Sequence, residues 1–132
     1  MSDETMASAG AAQKLIPLLA RALLSIPFIW AGCLKILGPS FYSAYFAKLG
    51  LPLPMADLGL AIAVEVGGGL ALLLGFQMRI AAGLLAVWCI ATALVAYTTF
   101  ADPNMQFHFL KNVVMAGGFL YVAADPGRRR AT

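Results

Sequence analysis

The sequence predicts an all-α membrane protein, a four-transmembrane-helix bundle with its N- and C-termini in the cytoplasm. Of the 132 residues, 61% are hydrophobic and 11% are charged, whereas soluble domains carry about 25% charged residues. Four apolar runs are each long enough to cross a bilayer at about 1.5 Å per helical residue. An even number of spans, with most basic residues on one side, predicts that orientation.

The four predicted spans form one domain, residues 15–125, between two tails. The spans are residues 15–37, 58–76, 80–100 and 107–124. Residues 1–14 are small and polar, with two acids and no basic start of a signal peptide, so we expect a flexible cytoplasmic tail. Residues 126–132 contain three consecutive arginines, which we expect in a basic cytoplasmic tail rather than in a nucleic-acid contact.

The first span carries Arg21 and Lys35 near its two ends, where long side chains can reach the membrane interface. Both follow a helical spacing with Ser25, Phe28 and Gly32, so the five residues form one stripe. We assign this stripe to the interior of the bundle.

Residues 38–57 are predicted to form a loop between the first two spans. The segment contains three prolines and four aromatic residues, and the residue before a proline avoids the helical region. We expect a short amphipathic segment at the membrane interface, since aromatic rings favour that depth. Asp57 is expected to cap the start of the second span.

Glu65 is the carboxylate inside the second span, and Gly67, Gly68 and Gly69 follow it closely. A charge at bilayer depth costs about 2.5–3.5 kcal/mol, so this carboxylate should face a cation or a cavity. The helical rise places Lys111 and Arg21 near its level. We expect Lys111 as its partner, with Arg21 as the alternative.

The third and fourth spans supply further packing and polar positions. His108, Lys111 and Asn112 lie on one face of the fourth span. Small residues let helix backbones approach in a membrane. Seven glycines are expected at helix contacts: Gly32, Gly67, Gly68, Gly69, Gly83, Gly117 and Gly118.

Two interpretations of the polar residues stay open: a charge cluster that only fixes helix register, and a polar pocket. The pocket candidates are Glu65, Lys111, His108, Asn112, Arg21 and Lys35. Such a pocket can hydrogen-bond a quinone carbonyl or move a proton, with His108 as the proton exchanger. The sequence identifies no catalytic residue, and we expect no metal site.

The cysteines, Cys33 and Cys89, are expected to be free thiols. Their depths differ by roughly 8–10 Å along upright helices, whereas the Cα atoms of a disulfide lie within about 7 Å.

Three motifs occur in order along the chain. The first is Arg21 with residues 30–35, WAGCLK, and the second is residues 65–70, EVGGGL, continuing to residues 79–82, RIAA. The third is residues 109–112, FLKN, followed by Gly117 and Gly118. In this order and spacing they resemble the DoxX family of small four-helix membrane proteins, over residues 15–124.

The resemblance implies a multi-pass protein of the plasma membrane, the bacterial inner membrane, with cytoplasmic termini. Members of that family include subunits linked to thiosulfate:quinone oxidoreduction and to oxidative-stress complexes, and distant relatives are membrane chaperones or cargo receptors. We therefore expect the membrane component of a redox system, at most a subunit of a membrane oxidoreductase, with a quinone as the candidate cofactor. Its partners would be the lipid bilayer and a protein partner or further copies of the chain, with no nucleic acid.

Two alternatives belong to other classes of function. One is a non-enzymatic membrane scaffold or chaperone, in which the charge cluster is structural. The other is a small-molecule transporter, which would have to be oligomeric because four helices are few for a translocation path.

Overall fold

The computed structural model describes residues 3–124, and the side chains of residues 10–124. Within that range every regular element is helical. Four apolar helical stretches are long enough to cross a membrane, namely Gly10–Leu37, Pro54–Leu74, Met78–Ala96 and Pro103–Ala124. The predicted all-α architecture with four spans is confirmed. The predicted basic tail, residues 126–132, lies outside the described residues.

The first span belongs to helix α1, Asp3–Leu37, which extends back into the segment that we predicted as a flexible tail. Two prolines, Pro17 and Pro27, lie inside this helix, as membrane helices tolerate. Ser25 is fully buried, and its hydroxyl donates a hydrogen bond to the Arg21 carbonyl at 2.6 Å. The hydroxyl is thereby satisfied in apolar surroundings.

Helix α2, Pro39–Lys48, occupies half of the segment that we predicted as a loop. Pro39 stands at its first position, where the fixed φ of proline suits a helix start. The backbone of Gly50 has a φ of 84° just past the end, in the left-handed region that glycine adopts easily. None of the residues of α2 is buried, which agrees with a short segment on the membrane interface.

The second span begins at Pro54 rather than at residue 58. It consists of α3, Pro54–Ile62, a π-helical segment, Ala63–Gly67, and α4, Gly68–Leu74. Leu53 is the N-cap residue, and the Asp57 amide already donates a hydrogen bond to the Leu53 carbonyl at 2.8 Å. Asp57 therefore lies inside the first turn, and its predicted N-cap role is wrong.

A tight turn, residues 75–77, connects the second span to α5, Met78–Ala96. Gly75 has a φ of 78° and closes α4 in the left-handed conformation that is common after helix ends. Helix α6, Pro103–Ala124, follows and packs along α5 as an antiparallel hairpin.

The core lies where α1, the second span, α5 and α6 meet, and the rings of Phe28 and Phe119 contact edge to face at 5.4 Å. The largest fully buried side chains are Phe119, Leu72, Leu85, Cys89 and Ser25. Large apolar side chains on the outer faces of all four spans are exposed. In a bilayer those faces contact lipid tails.

Glycines mark the closest helix contacts. A Cβ atom on Gly69 would lie 3.2 Å from the Ser25 carbonyl oxygen, and one on Gly68 would lie 3.2 Å from Leu85. A Cβ on Gly32 would collide with the Val66 side chain, and one on Gly118 would lie 3.6 Å from Leu24. By contrast, apart from the adjoining helix backbone, no atom lies within 4 Å of a Cβ built on three other predicted contact glycines, Gly67, Gly83 and Gly117.

Candidate functional site

A half-open cavity of about 650 Å³ lies beneath α2, lined by residues of α1, α3, the π-helical segment, α5 and α6. This volume is typical of small-molecule sites, which span roughly 300–1,000 Å³. Most of its wall is apolar. Six aromatic side chains contribute to that wall: Phe28, Tyr42, Tyr45, Phe46, Trp88 and Tyr97.

An ion pair between Lys35 of α1 and Glu65 of the π-helical segment lies in this cavity. The Lys35 ammonium donates a hydrogen bond to Glu65 Oε1 at 3.0 Å and lies 3.0 Å from Oε2. The two side chains are only 13% and 9% exposed. Both carboxylate oxygens thus lie within ion-pair distance of the same ammonium, and Oε2 is shielded from solvent.

Lys35 is not the partner that we predicted for Glu65. The structure overturns the expected pairs with Lys111 and with Arg21. Gly32 has no side chain, so Val66 of the π-helical segment packs directly against α1 at that level. Lys35 lies one helical turn beyond Gly32, and the close approach therefore brings its ammonium to Glu65.

A second polar group enters the cavity from α6. Lys111 and Asn112 line the wall, and Asn112 is buried. The Lys111 ammonium lies 3.3 Å from His108 Nδ1, and the Asn112 amide donates to the His108 carbonyl at 2.9 Å. Within the described part of the chain, Lys111 forms no ion pair.

His108 itself does not line the cavity but lies behind Tyr97, with the two rings stacked at 5.2 Å. Tyr97 directly follows α5. Burial raises the pKa of the Tyr97 phenol, and the nearby Tyr45 and Glu65 raise that pKa further. Its hydroxyl therefore stays protonated and can donate a hydrogen bond.

Asp57 also lines the cavity, in the first turn of α3. Its Oδ2 atom is buried and accepts no hydrogen bond from the described residues. Asp57, Ala61 and Glu65 are spaced four residues apart, and all three line the wall. That spacing is visible in the sequence, but we predicted a capping role for Asp57 and therefore did not include it among the site residues.

The chain matches the DoxX family model over residues 16–98. It belongs to the DoxX family. The chain is 41% identical to the inner membrane protein YqjF of Escherichia coli K12, over 83% of this chain and 84% of that protein. It is 34% identical to the inner membrane protein YphA of the same organism, over 89% of each. No solved structure matches the chain at comparable significance.

This DoxX-family protein is a multi-pass protein of the bacterial inner membrane, with four membrane-spanning helices. The three motifs of the sequence each contribute one charged residue to the cavity wall: Lys35 from the first, Glu65 from the second and Lys111 from the third. Residues far apart in the chain thus meet at one site.

Arg21 lies away from this site, about 21 Å from Lys35 along the axis of α1. Its Nη1 atom lies 3.5 Å from Met78 Sδ, beside the turn that follows α4. Both cysteines are free; Cys33 is exposed and Cys89 is buried.

Proposed function

We propose that the cavity binds a quinone and that this DoxX-family protein is the quinone-binding membrane component of a redox system. The observation that carries the proposal is the combination of apolar, aromatic walls with two ammonium donors, Lys35 and Lys111, at one cavity. A quinone matches this lining because its planar ring is apolar and its two carbonyl oxygens accept hydrogen bonds.

The charge balance of the site favours a neutral ligand. Lys35 and Glu65 neutralise each other, so the pair needs no counter-ion from a ligand. The other two charged residues of the wall, Lys111 and Asp57, are of opposite sign, so the lining carries no net charge. An ammonium group has three N–H donors, and Glu65 Oε1 takes one of those of Lys35. The remaining donors, together with those of Lys111, can bind carbonyl oxygens. Such bonds gain strength in a site of low dielectric constant.

The aromatic lining supports the same ligand class. Trp88, Tyr45 and Phe46 approach the cavity from α5 and α2. Aromatic rings pack favourably in offset-stacked or edge-to-face geometry. A planar quinone ring can therefore be held between them while its polar atoms reach the ammonium groups.

The redox partner of the quinone is proposed to lie on another protein. Reduction of a quinone takes two electrons and two protons, and neither free cysteine is paired with a second thiol in the described structure. We therefore assign the electron supply to a partner that docks on the membrane component. Co-purification from mild detergent, followed by protein and quinone analysis, tests for that partner.

The orientation in the membrane is part of the proposal. Arg79 and Arg21 lie at the end of the bundle that carries the turn between α4 and α5, whereas α2 lies at the other end. Basic residues accumulate on the cytoplasmic side. Both termini would then be cytoplasmic, and the cavity would lie toward the outer surface.

Quinone binding is tested with tryptophan fluorescence, because Trp88 lines the cavity whereas Trp30 is 68% exposed toward lipid. The Trp30→Phe variant keeps only Trp88, and the Trp88→Phe variant keeps only Trp30. In nanodiscs, a decyl-tailed benzoquinone should quench Trp88 with a saturable curve. Trp30 should show only the linear quenching that follows partition into lipid.

Two lysine variants complete this test. Lys111→Met, made in the Trp30→Phe background, should weaken quinone binding about tenfold, the loss of one hydrogen bond to a charged donor. Lys48→Met is the matched control, since Lys48 lies on α2 outside the cavity wall. Linear quenching of both tryptophans, or equal effects of the two lysine variants, would contradict the proposal.

A further inference from the structure

We propose that Asp57 makes the cavity bind the reduced hydroquinone in preference to the quinone, by accepting a hydrogen bond from a hydroxyl group of the reduced ring. This inference rests on the quinone binding proposed above and deepens it. It assigns a role in ligand selection to a carboxylate whose helix-capping role the structure excludes.

The position of Asp57 makes its carboxylate available to a ligand. The residue lies in the first turn of α3 and lines the cavity. Its Oδ2 atom is buried and accepts no hydrogen bond from any described residue, so Oδ1 is the carboxylate oxygen that a ligand can reach. A carboxylate oxygen forms a charge-assisted hydrogen bond when a ligand supplies a donor.

The quinone and the hydroquinone differ in the hydrogen-bonding groups that they present to Asp57. An ionised carboxylate only accepts hydrogen bonds. The carbonyl oxygens of a quinone also only accept, so Asp57 cannot bond to them. A hydroquinone carries two O–H donors, and an O–H donor forms a short, strong hydrogen bond with a carboxylate. Asp57 therefore distinguishes the reduced ligand from the oxidised one.

The rest of the lining is compatible with both states. Lys35 and Lys111 donate to either a carbonyl or a hydroxyl oxygen, so they bind the ring without selecting its redox state. Ala61 lies between Asp57 and Glu65 on the same helix face and adds no polar group there.

Preferential binding of the hydroquinone has a measurable redox consequence. It stabilises the reduced form and raises the midpoint potential of the bound quinone above that of the free quinone. A tenfold preference corresponds to about 30 mV for a two-electron couple. The midpoint potential of the quinone bound to Asp57→Asn should lie at least this far below that of the quinone bound to the wild-type site.

The experiment compares both ligand states on one protein. The decyl-tailed benzoquinone is titrated against Trp88 in the Trp30→Phe protein, and its hydroquinone is then titrated as a competitor under anaerobic conditions. Asp57→Asn preserves shape but adds an N–H donor. This variant should bind the hydroquinone about tenfold or more weakly, while its affinity for the quinone stays equal or rises.

Asp102→Asn is the matched control, because it removes the same charge from an aspartate that lies outside the cavity wall. Asp57→Ala gives a second variant, without a hydrogen-bonding side chain, in case the asparagine disturbs folding. It should also lower the ratio of hydroquinone to quinone affinity.

The outcomes separate the two proposals. If neither ligand state binds the wild-type cavity, the proposed function fails and this inference fails with it. If the quinone binds but both affinities change by the same factor in the Asp57 variants, only the preference assigned to Asp57 is overturned. An equal shift of the ratio in Asp102→Asn overturns it as well.

Discussion

Lys35 and Glu65 form an ion pair that is held inside the bundle by two close contacts. Val66 packs against Gly32 on one side, and the Lys35 ammonium lies 5.2 Å from the centre of the Tyr42 ring on the other. A cation near an aromatic face gains further stabilisation. Both charges have lost most of their solvent, so each depends on the other.

Removal of one charge should destabilise the protein more than removal of both. Lys35→Met leaves a buried carboxylate, and Glu65→Gln leaves a buried ammonium. Each single change should cost about 3–5 kcal/mol, and the double variant should recover part of that loss. A double-mutant cycle on thermal unfolding of the purified protein measures the coupling. Strictly additive losses would show that the pair does not act as a unit.

The polar residues of the site could be chosen from the sequence, but the ion pair could not. Lys35, Glu65, Lys111 and Asn112 stand out because charged and amide groups are rare inside membrane helices. Their depths follow from the helical rise, yet depth alone leaves lateral distance undetermined. The contact at Gly32 decides which helix lies next to Glu65, and that contact depends on packing in three dimensions.

At the scale of helices, the contact between α1 and α4 depends on Gly69. A Cβ atom there would lie 3.2 Å from the Ser25 carbonyl oxygen and 3.4 Å from the Ile29 backbone nitrogen. Backbone atoms cannot rotate away as a side chain can. Any larger residue at this position must therefore separate the two helices.

We predict that Gly69→Ala lowers the melting temperature in detergent, while Gly67→Ala keeps or raises it. Apart from the adjoining helix backbone, no atom lies within 4 Å of the place that a methyl group on Gly67 would occupy. Alanine is also favoured over glycine in a helix by about 0.8–1.0 kcal/mol. The two variants carry the same chemical change two residues apart, so equal melting shifts would show that α1 and α4 do not meet closely.

Two features of the helices were not predicted from the sequence. The prolines near α2 suggested a loop, but Pro39 stands at a position where proline starts a helix. The π-helical segment was also unpredicted. Ala61, Glu65, Gly68 and Leu72 fit an ordinary helical spacing, and all four are buried. Periodicity alone therefore cannot reveal a wider turn at Glu65.

At the scale of the whole molecule, the proposed orientation makes the connections between spans testable. A reporter fused after Thr132 or inserted after Gln77 should report the cytoplasm. A reporter inserted after Gly50 should report the outer side. Arg79 lies in the first turn of α5, close to the site after Gln77, and basic residues resist export across the membrane. An exported reporter after Gln77 would reverse the orientation and place the cavity toward the cytoplasm.

Helix α2 covers the cavity although none of its own residues is buried. A helix without buried residues is expected to open at a lower free-energy cost than a core helix, so its amide hydrogens should exchange with solvent faster. We expect deuterium to label α2 well before α5, and a bound quinone to slow the labelling of α2 alone. The residence time of the ligand would then be limited by the rate at which α2 moves away from the cavity.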